Sequence, residues 1–476
     1  MNSACDGLVL LAIPIMFVIG LRRPDWLLLI WLALSPLQND TIFFGVNFRV
    51  ASFDRLACIT SIVSLMAGGR LMEAIPKRLS NFEKTALVFL AVFLIEALFT
   101  ADMRDAFSLW TQATDLFGIP LYLYFLLRYL LLREGTYDDV FEGNLATTLA
   151  IVALYCACMG IFEQATKFDI LDRSARGLRI SEDGDSLRAN GPFAAPGVLG
   201  LYLNLTTLFI ICRWRMLHVL GVKLKRWKAW PFSILMAGGI YSVMFRNMWG
   251  GFIGGYVIQT VLNPRFRGKF AVGLVVLGLV GASAWGVISQ TDLYQERITN
   301  VSNIHDRLNA WAYAFRALSE HPLMGIGYGG LKFYIRGAQE RGDDLRWFED
   351  TPATYHPHNT VIAMLGENGL LLTIPFLLMI FQIVQKAWQL LRFQTKKVDR
   401  EFAFFACGAL FALLAPHMTD RCFAWAKYNN LLFILFGLIA ARHVQWLGGL
   451  QNRSDPNSTE GSSEQEHPQH TTAHVA

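Results

Sequence analysis

Apolar runs recur along almost the whole chain, divided by short stretches rich in Arg, Lys, Pro and Gly. Leu116 to Leu132, Leu145 to Thr166, Val198 to Cys212, Phe270 to Ser289 and Leu370 to Val384 are examples. Each approaches or reaches the ~20 residues that cross ~30 Å of hydrocarbon at 1.5 Å per residue. Nothing alternates with period two over barrel-like lengths, so the spans are expected to be helices, which satisfy their own backbone groups. The expected fold is therefore all-α and polytopic, with about 12–13 transmembrane helices. Their cores start near Gly7, Trp26, Leu56, Thr85, Leu116, Leu145, Gly191, Trp230, Gly251, Phe270, Asn359, Phe402 and Asn429. The first two are short and broken by Arg22-Arg23-Pro24-Asp25, as two tight spans or one hairpin.

The pattern divides the chain into N-terminal transmembrane helices (1–289), a large polar loop (290–357), C-terminal transmembrane helices (358–448) and a tail (449–476). The tail is rich in Ser, Glu, Gln, His and Thr and has almost nothing aliphatic to bury, so it is expected to be disordered. The N-terminus lacks the basic region and small-residue cleavage site of a removable signal peptide.

Composition agrees with the pattern: 54% of the 476 residues are hydrophobic and 17% charged, against about 25% charged in a soluble domain. Charge sets the orientation. Arg22, Arg23, Arg70, Lys77, Arg78, Lys84, the cluster from Arg213 to Lys228, Arg265 to Lys269 and Lys386 to Arg400 fall in alternate loops. By the positive-inside rule those loops are cytoplasmic. The long loop then lies outside, which for a bacterial inner membrane is the periplasm. The net charge of +5 reflects this bias and does not argue for nucleic acid. The seven cysteines are odd in number and mostly sit in apolar runs, which suits buried thiols better than a disulfide framework.

Inside the loop, DRLNAWAYAFRALSE places Ala310, Trp311, Ala314, Phe315 and Leu318 on one helical stripe, with Arg307 at its edge. That stripe is expected to lie against the membrane domain or lipid headgroups. The next segment, HPLMGIGYGG, reads as a turn-rich return. Its glycine spacing is neither a Walker loop nor a dinucleotide fingerprint.

Ionisable groups at the outer membrane edge are the candidates for chemistry. Arg188 lies in SLRANGPFAAPG, Arg246 in SVMFRNMWGG and His358 in TYHPHNTVIAMLGENG. At 100° per residue Ile362, Leu365 and Gly369 share the face of His358, Gly369 leaving room for a helix or a lipid-linked substrate. Glu367 points the opposite way and is expected in an inter-helix polar contact. His356-x-His358 lacks a third ligand at suitable spacing, so no metal is expected. Guanidinium forks match phosphate oxygens, and imidazole accepts a proton near neutral pH. Together they suit displacement of a phosphate leaving group by a hydroxyl. The same residue types also read as interfacial anchors and a helix-end polar group.

The stretch from Arg307 to Phe376 resembles the O-antigen ligase/O-antigen polymerase superfamily of bacterial membrane enzymes. The resemblance rests on DRLNAWAYAF, HPLMGIGYGG and the His358-Asn359 pair ahead of Gly369; upstream, LRANGPFAAPG and FRN resemble two further family segments. Gly197 follows Pro196 where the family often has Asn, and Phe245 stands where Ser is usual.

The resemblance implies a metal-independent glycosyltransferase without cofactor. It would move a glycan from undecaprenyl pyrophosphate to an acceptor hydroxyl at the periplasmic face. His358 would be the base; Arg188, Arg246 and Arg307 would hold the pyrophosphate; Asn359, Gly369 and Asp420 would support them. The acceptor would be a glycan or lipid A-core, with other polysaccharide-assembly proteins as candidate partners. A transporter or flippase of lipid-linked saccharide, drawing on Asp54, Arg55, Glu96 and Glu163, stays open, as does a non-catalytic assembly component.

Overall fold

The structure is a computed structural model that describes residues 2–37, 52–98, 109–133, 137–167, 188–193, 195–222, 229–268, 271–272, 279, 302–343, 345–348, 353 and 357–454. Most of the span expected from Phe270, the first part of the long loop, His356 and the tail beyond Ser454 lie outside these residues. The regular elements described are all helical: α1 (Asn2–Arg22), α2 (Pro24–Leu34), α3 (Phe53–Ala67), α4 (Leu71–Ala74), α5 (Asn81–Leu98) and α6 (Ile119–Leu132). They continue as α7 (Asp139–Thr166), α8 (Pro196–Val219), α9 (Ala229–Ser242), α10 (Arg246–Val261), α11 (Ser302–Glu320) and α12 (Leu331–Glu340). The chain closes with α13 (Thr360–Phe393), α14 (Lys397–Leu414) and α15 (Ala426–Ser454), the last running past the expected tail boundary.

Among the described residues, six helices are long and apolar enough to cross a membrane: Leu109–Leu132, Asp139–Thr166, Pro196–Val219, Thr360–Phe393, Lys397–Met418 and Ala426–Gly448. The protein is an all-α polytopic membrane protein. The shorter apolar helices, such as α2, fall below the length criterion although they occupy expected span positions.

Polar side chains set several helix starts. The Asp138 carboxylate accepts from Phe141 N–H (2.8 Å), and the Ser52 hydroxyl accepts from Arg55 N–H (3.3 Å). Glu83 accepts from the Ser80 amide (2.6 Å) while the Ser80 hydroxyl faces the Glu83 amide, a reciprocal cap. Small residues set the closest packing. A Cβ on Gly255 of α10 would stand 2.6 Å from the Gly408 carbonyl oxygen of α14, and one on Gly251 would stand 2.8 Å from that of Ala412.

Polar contacts collect at the two ends of the bundle. At one end Lys427 pairs with Asp54 (2.6 Å), Arg55 with Asp115 (2.5 Å), and Asn429 donates to the Leu116 carbonyl (2.9 Å). At the other, Arg442 pairs with Glu142 (2.5 Å) and Asp139 (2.8 Å), and Arg128 with Glu83 (2.5 Å). Each end thus ties helices that are distant in sequence.

The described part of the long loop packs as a small layer over the first end. Its core joins Ala310, Tyr313 and Ala314 to Leu331, Ile335 and Ile362 of the neighbouring helices. The buried side of α11 is Ala310, Tyr313, Ala314 and Ala317, while Phe315 is 41% exposed. The expected stripe is therefore rotated away from Phe315 and towards Tyr313 and Ala317. The reason is close packing: a Cβ on Gly366 of α13 would lie 3.1 Å from Ala314, so the alanine side faces the helix and Phe315 is displaced outward. Helix α12 follows the glycine-rich return, and its Leu331, Ile335 and Ala338 are buried at helical spacing.

Candidate functional site

Two short segments cross at the first end, Pro357–Thr360 leading into the first residue of α13 and His417–Arg421 after α14. Asn359 caps α13, its side-chain oxygen accepting from Ile362 N–H (3.1 Å) while its amide donates to the Met418 carbonyl (3.2 Å). Thr360 donates to the Asp420 carbonyl (3.1 Å) and, its single proton thus used, accepts from Nδ1–H of buried His417 (2.8 Å). His417 Nε2 meets the Tyr428 hydroxyl at 2.5 Å. These bonds fix the register of one segment on the other.

That register brings His358 Nδ1 to 3.5 Å from Asp420 Oδ1. Asp420 Oδ1 also accepts from the Arg421 amide (2.7 Å), which restrains the carboxylate. His358 does not belong to the first helical turn. It precedes the Asn359 cap with φ of +46°, so the wheel placing it on one face with Ile362, Leu365 and Gly369 does not apply. A β-carbon in the left-handed region is costly, and such strain is tolerated where surrounding bonds over-determine it. Among the described residues His358 Nε2 has no hydrogen-bond partner. The side chain is 34% exposed.

Helix α11 touches both segments. Trp311 Nε1 donates to the Pro357 carbonyl (2.6 Å), and Arg307 reaches the Thr419 carbonyl at 3.5 Å. Burial pushes the Asp306 carboxyl above its ordinary range, and the positive fields of Arg307, His305 and His358 pull it partly back. One Asp306 oxygen is buried without a hydrogen-bond partner among the described residues.

Gly369 plays a different part from the one expected. With φ of +62° and ψ of −162° it breaks α13, and the HPLMGIG return fills the gap. Leu370 and Leu371 N–H donate to the Pro322 (2.9 Å) and Leu323 (3.0 Å) carbonyls, and Ile326 and Gly327 N–H donate to Gly366 (3.2 Å) and Glu367 (2.7 Å). The space beside Gly369 is therefore occupied by this chain. The stretch from Leu370 to Phe393 alone suffices to cross ~30 Å of hydrocarbon, leaving Thr360–Asn368 as a half-helix at the membrane edge.

The break exposes polar side chains that the chain pairs internally. Glu367 forms an ion pair with Arg421, whose guanidinium lies 4.9 Å over the Tyr328 ring. Asn368 donates to both oxygens of Glu96 (2.9 and 3.0 Å). Arg421 thus links the broken helix to the loop bearing Asp420. Nothing local marked it, because its partner is far away in sequence.

Arg188 and Arg246 form a second group. The Arg188 guanidinium lies 5.5 Å from the Phe245 ring, and Phe245 immediately precedes Arg246 at the start of α10. The segment after Arg188 is held by Glu163, which accepts from the Asn190 (3.0 Å) and Gly191 (2.8 Å) amides, while Ala189 N–H donates to Ser242 (3.1 Å). This group joins the His358 region through packing: a Cβ on Gly251 would stand 3.6 Å from Pro416, and one on Gly197 would overlap the Trp425 ring. Asp54, Arg55, Glu96 and Glu163 are each engaged in contacts at this same end.

Among the described residues no group of three His, Cys, Asp or Glu is arranged to hold a metal ion. Cys58, Cys156, Cys158, Cys212, Cys407 and Cys422 are free thiols.

The class is thus a polytopic helical membrane protein with an imidazole–carboxylate pair at one membrane edge. Residues 231–377 match the family model of the O-antigen ligase. That stretch includes Arg246, Arg307, His358, Asn359 and Gly369 but not Arg188 or Asp420. The exopolysaccharide production protein ExoQ of Rhizobium meliloti is 27% identical over 278 residues, 55% of this chain and 62% of that protein. A Rickettsia conorii protein named as a polysaccharide ligase is 24% identical over 137 residues, 29% of this chain and 33% of its own length. A Rickettsia felis counterpart of the same description is 23% identical over 137 residues, with the same shares. The matches cover between 33% and 62% of these relatives. Together they support the O-antigen ligase superfamily for this chain.

Proposed function

We propose that this protein transfers a glycan from undecaprenyl pyrophosphate to an acceptor hydroxyl at the outer face of the bacterial inner membrane, during lipopolysaccharide or exopolysaccharide assembly. The observation that carries the reading is the His358–Asp420 pair, Nδ1 to Oδ1 3.5 Å, on an imidazole that is partly exposed. Asp420 holds the Nδ1–H tautomer, so Nε2 presents a lone pair to the acceptor O–H. The hydroxyl oxygen attacks the anomeric carbon, the bond from that carbon to the pyrophosphate oxygen breaks, and the hydroxyl proton passes to Nε2. The electron pair leaves with the pyrophosphate, where Arg307 and, from the second group, Arg188 and Arg246 stabilise the growing charge. His358 then returns its proton to solvent or to the leaving group. On this reading the reaction needs no metal, and the long loop is the wall and lid of the site.

The engagement of Asp54, Arg55, Glu96 and Glu163 within one end favours catalysis over transport, which needs charged groups along a path through the bilayer. The relatives named for polysaccharide ligation and exopolysaccharide production favour the same substrate class. The test is reconstitution of the full chain in liposomes with an undecaprenyl-pyrophosphate glycan and candidate acceptors. Product with the wild type and its loss in His358→Ala support the proposal; equal product from both refutes it.

A further inference from the structure

At the end opposite His358, beside the C-terminal turn of α6, lies a cavity of about 230 Å³. We propose that it binds the headgroup of a zwitterionic aminophospholipid, that is, a phosphoethanolamine group. Its position fits: α6 completes the span Leu109–Leu132, and the cavity is lined by Phe125, Arg128, Tyr129, Leu132 and Arg133 at the end of that span, facing Glu73 of α4. Headgroups sit at this depth. Next to the cavity Met72 is 77% exposed and Ile75 52%, apolar side chains that a bilayer would cover. The volume lies below the ~300–1,000 Å³ of pockets that enclose a whole drug-sized ligand. It admits a headgroup, with the acyl chains lying outside along α6.

The lining charges select the chemistry. Arg128 spends Nη1 on Glu83 (2.5 Å) and lines the cavity. Arg133 is exposed and lines the same cavity. Two guanidiniums provide donors for a phosphodiester. Glu73, which accepts from the Tyr129 hydroxyl at 3.2 Å, faces the same space. A carboxylate there would repel a purely anionic headgroup and suits a primary ammonium, which brings three N–H donors. A choline headgroup carries the charge without those donors. The cavity therefore matches phosphate and ammonium together.

The test is native mass spectrometry of the full chain in detergent, titrated with dioleoyl phosphatidylethanolamine, phosphatidylglycerol and phosphatidylcholine. Phosphatidylethanolamine is expected to bind about fivefold more tightly than either of the others, the order of one partly exposed ion pair. Glu73→Gln is expected to remove its advantage over phosphatidylglycerol, and Arg133→Gln to weaken all three. Equal binding of the three lipids by the wild type overturns the proposal without reference to any variant. So does a Glu73→Gln protein that elutes as the wild type on gel filtration and keeps the preference. Displacement of the lipid by millimolar inorganic phosphate would mark a free-phosphate site and overturn it as well.

Discussion

Gly325 and Gly369 meet main chain to main chain: a Cβ on Gly369 would lie 2.7 Å from the Gly325 nitrogen. Both have positive φ, +63° and +62°. Their contact lets the return segment dock into the break in α13 and so sets where the half-helix Thr360–Asn368 carries the site.

Gly369→Ala is expected to be destabilising through two additive causes, a strained backbone worth about 1–3 kcal/mol and an overlap that the return segment must relieve. The buried thiols Cys156, Cys212 and Cys422 provide a readout, since a thiol-reactive dye labels them only on unfolding. The midpoint of labelling on heating should fall. An unchanged midpoint would mean that the two segments do not meet in this way.

Arg421 should behave as one half of a buried pair. Arg421→Ala leaves Glu367, 1% exposed, without its counter-charge, a loss of about 3–5 kcal/mol. Adding Glu367→Gln should restore part of that stability, so the double variant melts above the single one. Simple additivity in this cycle would show that the pair is not coupled.

The site was unevenly legible in the sequence. His358, Arg307 and Asp420 could be chosen because their side-chain chemistry is informative wherever they sit. The rotation of α11 could not, since a wheel weighs Phe315 above Ala317, whereas close packing on Gly366 prefers the small side chain. The break at Gly369 was hidden by an apolar run that continues through it, and the Arg421–Glu367 pair depends on tertiary contact alone. Asp306 stood in the recognised DRLNAW segment, yet only its place beside Arg307 and His358 marks it.

Asp306→Asn is expected to raise the midpoint of labelling at pH 7. Burial raises the folded-state pKa of this carboxyl above its unfolded value, so ionised Asp306 opposes folding at neutral pH. The advantage of the variant should shrink as pH falls below the raised folded pKa and vanish below the ordinary carboxylate value. A difference that grows on acidification would reverse the sign of the argument.

Arginine-to-lysine changes separate charge from geometry. In Arg307→Lys the charge stays but the planar fork is lost, so turnover of a pyrophosphate-linked donor should fall by at least about tenfold, as for removal of a donor aimed at developing charge. Full activity would exclude recognition of the pyrophosphate by a guanidinium fork at this position.

The central claim is that His358 Nε2 takes the acceptor proton while Asp420 holds Nδ1. It is tested most directly by comparing reconstituted wild type with His358→Ala and Asp420→Asn in single turnover at saturating donor. His358→Ala is expected to lose about 10²–10⁴-fold in the chemical step. Asp420→Asn is expected to lose less, with a displaced pH profile. Wild-type turnover in His358→Ala, with normal membrane insertion, would contradict the claim.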